Sequence, residues 1–319
     1  MKTQQLYNKD LSIEFYENRY SNGYMDQWPA EKKQRVFQII QNLHLPDQGD
    51  ALDFGCGNGV FTEVIKQALP GWNVYGTDIS EVAIKNASQR FPQCLFFSGQ
   101  DEMYKTIKFD LLFTHHVLEH VFSLEEISEQ INAYMKPRSS MLHILPCGNE
   151  KSFEYNICKM RTDGINENTE GRFFFEEEGH LRRLRTEQLD SIFHKKNFRI
   201  KQAFYSNQYY GALRWISETD EKFILNFTDP TKAVDEKSKH KLLKIRKFLL
   251  FLFYCRRIIR IGNEKNLKGV KQWLKLPFKA AIYPFAMTVN NYYNSQANKE
   301  WQTGKDKSNG SEMYVYFTR

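Results

Sequence analysis

Paired cysteines are missing from this chain. Its five cysteines, Cys56, Cys94, Cys147, Cys158 and Cys255, include no C-x-x-C spacing. That gives no zinc ribbon and no disulfide framework, and it fits a reducing compartment. Long apolar runs are missing too. No uncharged stretch reaches the ~18 residues a spanning helix needs, so none is expected. The first 20 residues are polar, without the apolar segment of a secretory leader, and none is expected. Acid is nearly absent from one region. Lys237 to Lys279 holds 14 Lys or Arg and one acid, Glu264, a net +13 in a chain of +7, so the remainder sums to −6.

What is present centres on Ala51-Leu52-Asp53-Phe54-Gly55-Cys56-Gly57-Asn58-Gly59-Val60. Asp50 to Phe54 reads as a short buried strand. Glycines at alternate positions force a tight turn, and Val60 to Leu69 follows with helical spacing. Strand, glycine turn and helix let a ligand approach backbone closely, because glycine lacks a Cβ and tolerates positive φ. The dinucleotide fingerprint G-x-G-x-x-G would need a third glycine where Val60 stands. The next strand, Asn73 onward, ends on Asp78, a carboxylate that can accept ribose hydroxyls. Dinucleotide enzymes use an acid there as well, so Asp78 alone does not discriminate.

The turn resembles motif I of class I S-adenosyl-L-methionine (SAM) dependent methyltransferases, which often read (V/L)LDxGCGxG. Phe109-Asp110-Leu111-Leu112-Phe113-Thr114, continuing as His115-His116-Val117-Leu118-Glu119-His120-Val121, resembles the FDxVxxxxVLEHV segment of the same family. Phe15 to Asp26, rich in aromatics, resembles the N-terminal cap of small-molecule methyltransferases. The alternative is that rings such as Tyr16, Tyr20, Tyr24 and Trp28 simply cover the first helix. The resemblance spans residues 10–149, 172–205 and 312–319. It implies an α/β, Rossmann-like, doubly wound sheet of seven strands, mostly parallel, with an antiparallel last strand and a mainly helical insertion. The expected division is 1–205, 206–311 and 312–319. The implied cofactor-site candidates are Asp53, Gly55, Gly57, Gly59, Asp78, Ile79, Asp101 (with Gln100 its rival), Thr114 and His115.

Local signals fill in the rest. Pro29 stands where a helix over Glu31–Leu43 would start, and Ser80 is a candidate cap for Glu81–Arg90. Lys136-Pro137-Arg138-Ser139 reads as a turn before a strand at Met141–Pro146. Residues 150–175 show little periodicity and are expected in the acceptor wall. Thr186 is the expected cap of a helix over Glu187–Lys196. A sixth strand is expected at Phe198–Tyr205 and the last at Glu312–Thr318.

The chemistry implied is in-line transfer of the sulfonium methyl, in which the protein mainly positions the partners. An oxygen acceptor needs a base; His180 is the first candidate and His116 the second. A histidine that only caps a loop is the alternative for His180. His116 and His120 have the i, i+4 spacing of helical metal ligands, but no third ligand is evident, and no metal is expected.

The acceptor expected is a saccharide or lipid-linked glycan, methylated on oxygen at the cytoplasmic face of the membrane. A soluble small metabolite, or SAM binding without catalysis, are the alternatives. Residues 240–285 carry Phe248 to Cys255, an apolar run flanked by basic residues. An anionic membrane surface is the expected partner there. A helical core is the rival, and nucleic acid ranks below both for want of a recognisable module.

Overall fold

The computed structural model describes residues 9–24, 27–99, 106–177, 179–263 and 276–319. Helix α1 (Lys9–Ser21) and α2 (Ala30–Gln41) precede the sheet. Then come β1 (Asp50–Phe54), α3 (Val60–Ala68), β2 (Asn73–Asp78), α4 (Glu81–Arg90), β3 (Leu95–Ser98) and β4 (Phe109–His115). The second half adds α5 (Leu124–Tyr134), β5 (Met135–Pro146), α6 (Phe153–Lys159), and a two-stranded ribbon of β6 (Ile165–Asn166) and β7 (Arg172–Phe173). Helix α7 (Thr186–His194) and β8 (Arg199–Ser206) follow. Four helices, α8 (Tyr210–Glu218), α9 (Glu221–Phe227), α10 (Glu236–Asn263) and α11 (Leu276–Gly304), lead to β9 (Glu312–Thr318).

The seven main strands run in the order β3-β2-β1-β4-β5-β9-β8, and β9 is antiparallel to both its neighbours. A strand from the end of the chain therefore fills the gap between β5 and β8, with Tyr314, Val315 and Phe317 fully buried. One face of the sheet packs Val36, Ile40, Phe61 and Ile65 of α2 and α3. The other packs Ile131 and Tyr134 of α5 with Leu189 and Phe193 of α7. The strand order reverses between β1 and β4, which opens a crevice at their carboxyl ends, where sheets of this kind hold ligands.

Two local expectations change. The expected turn at Lys136–Ser139 is extended strand, because Lys136 Nζ reaches Asp50 (3.0 Å) and Asp110 (2.7 Å) and Arg319 holds the Met135 and Lys136 carbonyls. Thr186 is the first residue of α7, and the preceding Arg185 N–H is held by Gln188 Oε1 at 2.8 Å. His116 and His120, which share the spacing of helical metal ligands, lie in a turn, with His116 at φ 56°.

Helices α8–α11 share a core of Leu213, Ile216, Phe227, Leu242, Leu249 and Leu252 with Ile157 of α6. Glu300 on α11 accepts the N–H groups of Tyr209, Tyr210 and Gly211 at the start of α8. The apolar run of α10 is divided: Leu249, Leu252 and Cys255 are buried, whereas Phe251 and Tyr254 are each 41% exposed. Among the described residues, no helix is long and apolar enough to cross a membrane.

Candidate active site

The glycine turn sets one wall. Gly55, Gly57 and Gly59 have φ of 79°, 50° and 77°. A Cβ on Gly55 would lie 2.4 Å from Val117 Cγ2, and one on Gly57 would lie 2.7 Å from the Tyr20 hydroxyl. Only glycine meets both the backbone angle and the space. The turn is tied to β2, since Gly55 and Cys56 N–H both donate to Thr77 O. Asp78, 8% exposed, accepts from Gly57 N–H (2.9 Å) and Ser80 N–H (3.0 Å), and burial raises its pKa. Asp53, 1% exposed, is raised to about 7 by burial, although Thr62 Oγ1 donates to it at 2.6 Å. Ser80 caps α4 through Ala83 N–H at 3.1 Å, as expected.

Helix α1 forms the roof. Glu17 accepts from Ser80 Oγ and from the N–H groups of Glu81 and Val82, so its carboxylate sits on the positive end of α4. Arg19 pairs with Glu177 at 2.6 Å, Tyr24 donates to the same carboxylate, and Tyr16 meets His120 Nδ1 at 2.9 Å. Tyr16, Tyr20, Tyr24 and Trp28 line the space beneath.

The far wall is a group of histidines and acids. His115 is packed edge-on against Trp28 (4.5 Å) and over Phe61 (4.0 Å); burial, then Lys32 and His116, hold its pKa well below the usual range. His116 Nε2 lies 3.1 Å from Glu312 Oε1, a residue of the last strand, and Lys32 pairs with that same oxygen. Glu119 is fully buried. Burial would raise it, but the imidazoles of His116, His120 and His180 hold it at about 2. His120 is lowered to about 4 by burial. Burial would also lower His180, but its contacts with Glu176 and Glu177 raise it to about 9.

These walls enclose a cavity of about 470 Å³, within the ~300–1,000 Å³ of small-molecule clefts. Asp53, Gly55, Gly57, Asp78, Ile79, His115, His116 and His180 all line it. Gly59 stands behind it as the left-handed residue before α3. Thr114 is turned away and bonds His143 Nδ1 at 2.8 Å. Asp101 and Gln100 lie outside the described residues. No lining residue comes from 150–175, which correct to a second site of packing: Phe174 and Phe175 meet Phe227 of α9. Lys32, Glu177 and Glu312 were not expected in the site. Only distant chain crossings bring them there, and no local motif marks them.

The residues fit the adenosyl and methionine parts of SAM. Thr77 and His115 line this cavity, and Thr77 Oγ1 and His115 Nε2 are buried without a hydrogen-bond partner among the described residues. Asp78 would hold the ribose, the glycine turn would admit the cofactor to backbone, and the tyrosines would cover it.

Fold and crevice define a Rossmann-like nucleoside-binding protein of the class I methyltransferase topology. A family model described as a methyltransferase domain matches residues 24–203, and the chain belongs to that family of SAM-dependent methyltransferases. The chain is 26% identical over 128 residues to trans-aconitate 2-methyltransferase of Variovorax paradoxus, covering 38% of this chain and 48% of the relative. It is 30% identical over 95 residues to malonyl-[acyl-carrier protein] O-methyltransferase 2 of Ilyobacter polytropus, covering 28% and 37%. It thus spans about half the length, or less, of these curated relatives. Among solved structures it is similar to the magnesium protoporphyrin IX methyltransferase of Synechocystis with bound SAH. That match has 20% identity and a TM-score of 0.44, over 62% of this chain and 93% of the other.

Proposed function

We propose that this chain transfers the methyl group of SAM to an oxygen of a small acceptor. The observation that carries the reading is the cavity itself, with the glycine turn and Asp78 on one side and His116, His120 and His180 on the other. SAM, when bound, supplies an activated methyl on a sulfonium leaving group. The new bond is C–O, and the C–S bond breaks with its electron pair left on sulfur. A hydroxyl acceptor loses its proton to a base.

Of the two candidate bases, His180 is protonated below pH about 9 and suits donation or anion binding. His116 is the base in this reading, with its ring oriented by Glu312. Asp53, Asp78 and Ile79 are assigned to the cofactor side, and Tyr20 to the roof over it.

The acceptor is placed first among soluble small molecules. The relatives' names refer to trans-aconitate and to a malonyl carrier, and neither supports the expected glycan. The surface reading is second. It is supported by Phe251, Tyr254, Phe285 and Tyr292, all exposed on α10 and α11, the first two next to basic residues of α10. In it, the helical region from 206 to 311 is a separate docking unit; residues 264–275 of the expected contact lie outside the described residues.

Methyl-labelled SAM, added with the protein to soluble and membrane fractions of a cell extract, tests this. Label in a soluble small molecule supports the first reading, and label in lipid or glycan the second. SAM binding with no label in either fraction would leave a binding protein only.

A further inference from the structure

The geometry points to a divalent-cation site formed by His116, Glu119 and His180, with His120 beside them, on the acceptor side of the cavity. One ligand atom from each of the first three lies within 4.8 Å of the others, as holds also for His120, Glu177 and His180.

The hydrogen bonds settle which nitrogens are available. His116 Nε2 faces the Glu312 carboxylate at 3.1 Å. His120 Nδ1 faces the Gly179 carbonyl at 2.8 Å. His180 Nδ1 faces Glu176. The Gly179 and Glu176 oxygens can only accept, so His120 Nδ1 and His180 Nδ1 carry protons, and His116 Nε2 does so when Lys32 Nζ, 3.2 Å from it, is turned to the Glu312 carboxylate. In the neutral rings the inner nitrogens, His116 Nδ1, His120 Nε2 and His180 Nε2, are then lone pairs; without a metal His180 Nε2 carries a proton toward Glu177 Oε1 at 3.4 Å, and a bound cation takes that proton's place. Imidazoles that ligate metals are held in this way, by an acceptor on the outer nitrogen.

The inner nitrogens converge on an acid. His116 Nδ1 is 3.2 Å and His120 Nε2 4.0 Å from Glu119 Oε1. Glu119 is fully buried, and neither of its oxygens accepts a hydrogen bond of good geometry from any described residue. A buried carboxylate is costly unless it is paired or coordinates a metal. Lone pairs facing lone pairs need a positive charge between them, a shared proton or a cation. Two or three imidazoles with one carboxylate suit a borderline ion such as Zn²⁺, Co²⁺ or Mn²⁺ better than Ca²⁺ or Mg²⁺.

Three protein ligands leave positions open, and His116 and His180 both line the cavity. This deepens the methyl-transfer reading and rests on it only for the role of the ion. His116 becomes a ligand instead of the base. An acceptor hydroxyl bound to the ion would release its proton more easily, to water in the open cavity, before its oxygen takes the methyl group and the C–S bond breaks onto sulfur, so the favoured acceptor has two neighbouring oxygens able to chelate.

The test is titration of EDTA-treated full-length chain with Zn²⁺ by calorimetry, and with Co²⁺ by visible absorption. Expected are one Zn²⁺ per chain and strong d–d bands at one equivalent of Co²⁺. Glu119→Gln and His120→Gln should weaken Zn²⁺ by more than the roughly 10–100-fold that follows loss of an outer partner for Glu119, and by at least 10-fold for His120. The exposed control His44→Gln should change nothing. No stoichiometric Zn²⁺, an aqueous Co²⁺ spectrum, or a loss in folded Glu119→Gln no greater than the roughly 100-fold of an outer partner overturns the site. The wild-type Co²⁺ spectrum decides the matter if the variants do not fold. SAM titrated into the same preparation separates the readings: SAM bound without metal removes this site alone, and metal bound without SAM removes the methyl-transfer reading.

Discussion

The Gly57 backbone N–H donates to Asp78 Oδ2 at 2.9 Å, joining the glycine turn to the end of the next strand. One carboxylate thereby holds the turn and borders the cavity. A hydrogen bond to a charged group is worth roughly 1.5–3 kcal/mol, or about 10- to 100-fold in affinity. Asp78→Asn should weaken SAM by that factor in calorimetry, with NAD as a non-binding control. Unchanged SAM affinity would show that the ribose lies elsewhere.

Gly55 stands at φ 79° with Val117 2.4 Å from a would-be Cβ. Gly55→Ala therefore meets both strain and a clash, and should cost at least about 1–3 kcal/mol. Chemical denaturation should show a lower midpoint. A neutral result would mean that the turn relaxes freely.

Glu17 anchors the roof through Ser80, Glu81 and Val82. Glu17→Ala should release α1 and weaken SAM several-fold, while the melting temperature changes little because the sheet core is untouched. Limited proteolysis should cut first within residues 9–24. Unaltered cleavage and affinity would remove the roof role.

His143 is buried, stacked on Phe193 at 4.6 Å, and burial lowers its pKa to about 3. The unfolded chain takes up this proton near pH 6.5 and the folded chain only near 3. Stability from this residue is thus complete above 6.5 and is lost as pH falls through that window, by several kcal/mol in total. His143→Gln, which cannot titrate, should flatten the fall in melting temperature between pH 6.5 and 4. An unchanged slope would mean that other groups dominate.

Leu249 and Phe251 sit two residues apart on α10 with opposite fates. Leu249→Ala, in the core, should cost about 2–5 kcal/mol. Phe251→Ser, half exposed, should cost little but reduce sedimentation with anionic vesicles if α10 docks there. Wild-type protein that ignores such vesicles at low salt would end the surface reading.

The glycine-turn wall of the cavity was legible in sequence because it is local. A strand, three glycines and a helix fall within 20 residues, and Asp78 ends the next strand, so spacing alone places them. The delayed last strand was also legible, since Met313–Phe317 is an apolar and aromatic run and the sheet lacked a member. Chain order and pattern suffice for such features, because backbone geometry dictates them.

The histidine wall was not legible. His116, Glu119, His120 and His180 could be named, but their orientation depends on Glu312, 196 residues from His116, on Gly179 and on Glu176. The i, i+4 spacing of His116 and His120 did not show the turn that aims both inner nitrogens at Glu119. The apolar run on α10 likewise could not be divided into core and surface until α8 and α11 packed against it. Sequence determined which groups this protein has and where the chain bends to admit a ligand. Tertiary packing alone decided which lone pairs face one another, because that depends on partners brought together only when the sheet closes around its last strand.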